Sequence, residues 1–343
     1  MKTKAAILYK NNSPLLITEI EIPRINPGQV LVKLHASGIC RSQLNEIQGL
    51  RGSDPFLPHL LGHEGSGEVV SIGFGVTKVK RGDFVVLSWI KGTGQDIPNA
   101  EYRHNSQIIN SGPIATFCEY AVVSENCITK ISRKIPYDLA ALLGCAIATG
   151  VGIVRHKLKL TENSTLVVFG VGGIGASVIL GARMYRSKKI IAVDISEHAL
   201  SFAKKNGVSD ILLFTDTVVT DIQSLCPGGV DFVVEASGNK IAMEKTVAVL
   251  KPHGLAVIAG NIGYTETIRI NPFEFIKGKT ITGTWGGETN PDLDFPFYTR
   301  KILAGNLPVS ELITRRIKLQ EINEAINDMA KHQMVGRAVI DFK

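Results

Sequence analysis

The hexamer Gly170-Val171-Gly172-Gly173-Ile174-Gly175 constrains the fold of this chain more than any other feature. It matches G-x-G-x-x-G, follows the apolar run Thr165–Phe169 and opens a helical pattern over 174–184. In that setting each glycine has a physical task. Gly170 permits the tight turn, Gly172 lets the backbone meet a pyrophosphate, and Gly175 allows helix and strand to pack closely; Gly173 and Ile174 complete the turn at the helix N-terminus. Asp194 lies 19 residues after Gly175, at the end of a second apolar run over 189–193. A carboxylate there can accept both hydroxyls of an adenosine ribose and repels a 2′-phosphate, so the expected cofactor is NAD rather than NADP.

The same grammar runs from about 147 to 285. Further strands are expected over 211–214, 231–235, 255–259 and 280–284, with helices over 197–206 and 240–250. Short buried-type strands alternating with helices specify an α/β domain with a doubly wound parallel sheet. Up to about residue 146 the chain instead shows strand-like runs over 5–9, 29–35, 67–72, 83–89 and 117–123. Turn signals such as Pro27-Gly28 and Arg81-Gly82-Asp83 separate them, which reads as a β-rich domain. The stretch 90–114 is rich in Gly, Asn, Gln and Ser without a period, and is expected to be a functional or interface excursion. The chain ends in an alternating run over 337–342 that could pair back into the first domain. A length of 343 residues agrees with two domains.

Composition narrows the classes. Apolar residues make 44% of the chain and charged residues 20%, ordinary for a soluble protein. No apolar run approaches the roughly 20 residues of a membrane span, and the short N-terminal apolar stretch does not read as a signal peptide. A cytoplasmic protein with no membrane partner is the expectation. Net charge is +7, yet no Lys/Arg run exceeds two residues, so no nucleic-acid partner is expected. The five cysteines are too few and too scattered for a disulfide framework, which leaves metal binding or catalysis for any with a special role.

Three residues in the β-rich part carry metal chemistry: Cys40 in Gly38-Ile39-Cys40-Arg41-Ser42, His63 in Gly62-His63-Glu64-Gly65, and Cys145 in Leu143-Gly144-Cys145-Ala146. Two thiolates and an imidazole fill three corners of a tetrahedral Zn²⁺ and leave one for a substrate oxygen, the catalytic pattern. Taken singly, each could equally be a small buried thiol or a core histidine, and their spacing is not local.

These phrases, with Gly82-Asp83, the stretch 143–150 and the glycine turn in this order, resemble the zinc-containing alcohol dehydrogenases of the medium-chain dehydrogenase/reductase superfamily, from about Lys4 to the C-terminus. The resemblance implies a GroES-like catalytic domain built from 1–146 and 286–343, a Rossmann domain over 147–285, and a cleft where zinc meets nicotinamide. It implies Cys40, His63 and Cys145 as catalytic zinc ligands, and Glu64 as an acidic neighbour that approaches the metal when ligands exchange. Ser42 would take the alcohol proton, Thr149 would lie under the nicotinamide, Arg41 and Arg337 would bind the pyrophosphate, and Trp89 would wall the substrate pocket. The alternatives are a strand-edge carboxylate for Glu64, a helix N-cap for Ser42, surface cations for Arg41 and Arg337, and core filling for Trp89. Cys118, Cys127 and Cys226 are expected to be small apolar fillers.

The chain also departs from that family. No cysteines occupy the lobe that carries a structural zinc in some members, so one zinc per subunit is expected and hydrogen bonds or a partner subunit must hold the lobe. Gln43 stands where Asp is common, and Asn45 where some members have a proton-relay histidine. The expected activity is hydride transfer between an alcohol, or its aldehyde or ketone, and NAD, in a homo-oligomer (dimer or tetramer). A polyol or sugar dehydrogenase of the same superfamily, its zinc-free quinone-reductase branch, and a non-catalytic nucleotide- or nucleic-acid-binding protein are the rivals. Cys145 argues against the first, the retained ligands against the second, and Ser42 with the open-corner ligand set against the last.

Overall fold

The computed structural model describes residues 1–343 and divides into two compact units. One comprises Met1–Ala148, Asn290–Asn306 and Ile313–Lys343; the other comprises Thr149–Thr289 and Leu307–Leu312. The short segment Leu307–Leu312, expected with the first domain, belongs to the second because Leu307, Val309 and Leu312 are wholly buried there.

The second unit is a six-stranded parallel sheet in the order Asp210–Leu213, Lys189–Asp194, Thr165–Phe169, Val230–Glu235, Leu250–Ile258, Thr280–Gly283. The central strands carry short apolar runs, over 166–169, 190–193 and 233–234, because both faces are covered; Leu166, Val167 and Val168 have no exposed surface. Helix Gly173–Met184 follows the glycine turn, and helix Glu197–Lys205 starts at Ser196, whose hydroxyl accepts the N–H of Ala199. The helix expected over 240–250 ends at Lys245, and the next strand begins at Leu250. Helix Val218–Leu225, which pattern alone does not isolate, packs Val218 and Ile222 into the core.

The first unit is β-rich and packs around two apolar clusters, one including Ile7, Val30, Val85 and Tyr102 and the other Leu8, Ile39, Ile322 and Ile340. A closed barrel joins Lys2–Leu8, Leu16–Glu21, Glu101–His104, Gln107–Asn110 and His59–Leu60. Beside it the long strand Gln29–Ile39 pairs with Glu64–Ile72, with Tyr120–Ser124 and with the C-terminal strand Arg337–Asp341. The last strand therefore does return to the first unit, and it carries Arg337 to the neighbourhood of Cys40.

The stretch 90–114, expected as a functional or interface excursion, contains regular structure. Glu101–His104 and Gln107–Asn110 form a hairpin across Asn105-Ser106, both at positive φ (49° and 67°), the backbone of a two-residue primed turn. Tyr102 and Ile109 enter the core with no exposed surface. The preceding lobe is fastened by two carboxylates. Glu125, 1% exposed, accepts the N–H groups of Thr77 (2.6 Å), Lys78 (2.6 Å) and Gln95 (3.1 Å). Asp292 accepts the N–H of Thr93 (2.6 Å) and pairs with Lys78 (2.6 Å). Charge-assisted bonds of this kind contribute about 1.5–3 kcal/mol each. No single helix in the chain is long and apolar enough to cross a membrane.

Candidate active site

Cys40, His63 and Cys145 come from three separated elements of the first unit. Cys40 stands at the N-cap position of helix Arg41–Ile47 without a side-chain capping bond. His63 precedes strand Glu64–Ile72, after Gly62 at φ +91°. Cys145 follows the turn Leu142–Gly144 in an irregular conformation before helix Ala146–Gly152. Their ligand atoms all lie within 4.8 Å of one another, with His63 Nε2 3.2 Å from Cys145 Sγ. Donors around a tetrahedral zinc, at bond lengths of about 2.3 Å to sulfur and 2.0 Å to nitrogen, lie roughly 3.5–3.8 Å apart, so the set fits that ion.

The surroundings prepare these groups. The Cys145 thiol donates a hydrogen bond to Cys40, which lowers Cys40 well below the ordinary thiol range and raises Cys145 well above it; Arg337 and His63 also favour the Cys40 thiolate, against burial. Gln43 Nε2 lies 2.5 Å from His63 Nδ1 and Gln43 Oε1 is buried without a partner; turning the amide over exchanges the two atoms and sets Oε1 against Nδ1. Ligation through Nε2 requires the proton on Nδ1, and the amide oxygen is its natural acceptor. Trp89 lies edge-on to His63, ring centroids 6.4 Å apart.

Glu64 is not a strand-edge carboxylate. It has no exposed surface, accepts the N–H of Ala146 (3.1 Å), and meets Arg337 at 3.1 Å. Burial raises its pKa, with Arg337 opposing. Arg337 is not a surface cation either. It is 3% exposed, and its guanidinium is committed to Glu64 and to Cys40 Sγ (3.4 Å) rather than turned outward to a phosphate. Burial disfavours its charge, but the neighbouring Cys40 and Glu64 outweigh that and raise its pKa. Arg41 is exposed, its Nη1 3.5 Å from His332 Nδ1.

Ser42 does not cap the helix, since Cys40 holds that position; its hydroxyl is buried without a hydrogen-bond partner. The Thr149 hydroxyl is likewise buried and unpartnered. Cys118 and Cys127 sit in the barrel core, where burial pushes their thiols up to about 12 and about 11, and Cys226 is raised in the same direction. All three are buried, in keeping with small apolar filling.

In the second unit the glycine turn has the expected form. Gly170 adopts φ +87° and a Cβ there would meet Ser237 backbone at 2.6 Å; at Gly175 a Cβ would stand 1.8 Å from the Gly170 carbonyl oxygen. At Gly172 a Cβ would meet nothing within 4 Å, which leaves open space over the turn. Asp194 Oδ2 accepts the N–H of Val171 (2.7 Å) and Oδ1 that of Ser196 (2.9 Å), so the carboxylate is held beside the turn.

Comparison with known proteins decides the family. Residues 26–133 match the model of the alcohol dehydrogenase GroES-like domain, and residues 173–300 that of the zinc-binding dehydrogenase. The chain is 30% identical to an S-(hydroxymethyl)glutathione dehydrogenase of Photobacterium damsela subsp. piscicida, over the full length of both chains. The chain belongs to the zinc-containing alcohol dehydrogenase family. Its GroES-like and Rossmann architecture is that of this family, and it is a zinc-dependent alcohol oxidoreductase. The dehydrogenase is also 30% identical to alcohol dehydrogenase 6 of Rattus norvegicus, covering 98% of this chain and 96% of that one. Its fold superposes on benzyl alcohol dehydrogenase from Acinetobacter calcoaceticus with a TM-score of 0.90 at 28% identity, covering 100% of both chains.

Proposed function

We propose that the dehydrogenase oxidises a small alcohol, or reduces the matching aldehyde or ketone, with NAD and one zinc per subunit held by Cys40, His63 and Cys145. The observation that carries this reading is the convergence of those three donor atoms within 4.8 Å. When bound, the zinc supplies Lewis acidity to a substrate oxygen and NAD exchanges the hydride.

The protein's own groups do the rest. Ser42 Oγ, buried with no partner, accepts the alcohol proton and returns it in the reverse direction. Glu64 and Arg337 balance charge behind the thiolates, and Trp89 gives the pocket an aromatic wall. The open backbone at Gly172, with Gly170, Gly173, Ile174 and Gly175, receives the pyrophosphate, and exposed Arg41 supplies a planar cation to it. Asp194 accepts the ribose hydroxyls, and Thr149 supports the nicotinamide. We assign a homo-oligomer, dimer or tetramer, and a reducing cytoplasmic setting, which suits five unpaired cysteines.

The test is a panel of primary, secondary, aromatic and polyhydric alcohols followed by NADH absorbance. Turnover of a monohydric alcohol with NAD supports the reading. Preference for a polyol moves the protein to the sugar-alcohol branch, and NAD binding without turnover of any alcohol overturns it.

A further inference from the structure

A second group of donors lies in the first unit, apart from the proposed zinc ligands and independent of the reading above. Glu46 stands in helix Arg41–Ile47, Asp54 in the following loop, and His59 at the start of strand His59–Leu60. One ligand atom from each lies within 4.8 Å of the others. His59 Nε2 is 2.8 Å from Asp54 Oδ2 and 3.8 Å from Glu46 Oε1. His59 is 6% exposed, while the Glu46 and Asp54 side chains keep 25% and 14% of their surface and open the group to solvent.

The tautomer follows from the other nitrogen. His59 Nδ1 lies 2.9 Å from the Leu60 carbonyl oxygen, which only accepts, so Nδ1 carries a proton and donates it. On a neutral ring Nε2 then presents a lone pair to two carboxylate oxygens. Three acceptors aimed at one point repel unless positive charge sits among them. The second oxygens are engaged elsewhere: Asp54 Oδ1 accepts the N–H of Phe56 (2.9 Å) and Glu46 Oε2 faces Arg51 at 3.6 Å. A proton on Nε2 serves Asp54 Oδ2 at 2.8 Å and leaves Glu46 Oε1, 3.8 Å away, to solvent alone. A divalent cation serves all three, and separations of 2.8 and 3.8 Å bracket the roughly 3.3 Å expected between N and O donors at metal bonds of about 2.0–2.1 Å. An imidazole oriented through its far nitrogen by a backbone carbonyl is also the usual arrangement of a metal-bound histidine.

We propose that Glu46, Asp54 and His59 bind a second, exchangeable divalent cation that ties the 48–58 loop to helix Arg41–Ile47. One imidazole and two carboxylates, without thiolate, suit manganese or a weakly held zinc. The cysteine-containing site, being softer, keeps its tightly bound zinc.

The test is titration of the zinc-loaded enzyme with Mn²⁺, reading free Mn²⁺ by electron paramagnetic resonance and retained zinc by elemental analysis. One Mn²⁺ binds per chain while the zinc stays. Asp54→Asn and His59→Gln each weaken Mn²⁺ binding at least tenfold and leave the zinc content unchanged. Mn²⁺ also slows tryptic cleavage after Arg51 in the parent and not in the variants. No Mn²⁺ bound by the parent, or equal affinity in both variants, overturns the site and leaves His59 as a hydrogen-bond partner of Asp54. Loss of the tightly held zinc in the parent speaks against the cysteine site instead, so the two readings fail separately.

Discussion

Arg337 and Glu64 form an ion pair at 3.1 Å with side-chain exposures of 4% and 0%, and the same guanidinium reaches Cys40 Sγ at 3.4 Å. Its place on the last strand, paired with Gln29–Ile39, brings one permanent cation behind a thiolate and a carboxylate that would otherwise share a dry space.

Removing that cation leaves Glu64 buried and unpaired. Arg337→Met is expected to cost about 3–5 kcal/mol in urea unfolding of the zinc-loaded enzyme, and adding Glu64→Gln returns part of it. A loss below about 1 kcal/mol for the single variant contradicts the charge-balancing role.

Gln43 orients His63 through Nδ1. Gln43→Leu is expected to weaken zinc binding by about 10- to 100-fold, and Gln43→Asp, a more basic acceptor, to strengthen it. Chelator competition measures both; an unchanged affinity in Gln43→Leu would show that the 2.5 Å contact does not tune the metal site.

Cofactor choice rests on the charge of Asp194. Asp194→Asn keeps an oxygen for the Val171 N–H while removing the negative charge, so the preference for NAD over NADP in kcat/KM should fall at least tenfold, about 1.4 kcal/mol. An unchanged ratio assigns the discrimination elsewhere.

Acid should loosen the lobe that lacks cysteines. Burial alone would raise Glu125 and Asp292, but N–H donors from Lys78, Thr77 and Gln95 hold Glu125 below the usual carboxylate value, and Lys78 and Thr93 do so for Asp292. With folded-state values depressed, their stabilisation is full above the unfolded value of about 4 and disappears as pH falls through the folded one. Urea midpoints should fall between pH 5 and 3, with a shallower fall in Glu125→Gln. Parallel profiles for parent and variant would exclude Glu125 as a source.

The parallel sheet was legible because strands buried on both faces carry short apolar runs without alternation; Thr165–Phe169 occupies the bounds its pattern indicates. The hairpin at 101–110 was not, because four-residue strands joined by Asn-Ser carry too little periodicity to stand out from a polar stretch. Cys40, His63 and Cys145 are joined only by tertiary folding, so their association came from resemblance rather than spacing. Arg337, a chain end away from Cys40, reads as a solvated or phosphate-binding cation until the C-terminal strand is seen to pair beside it. Glu125 and Asp292 gave no signal, since each acts on backbone N–H groups of residues distant in sequence.

The most direct measurement is alcohol-dependent NADH formation by protein purified without added metal, stripped with a chelator, and reloaded with zinc in steps counted by elemental analysis. The account predicts activity lost on stripping and restored in proportion to the first zinc per chain, with no recovery in Cys145→Ala. Full activity in stripped protein, or in Cys145→Ala without zinc, would contradict it.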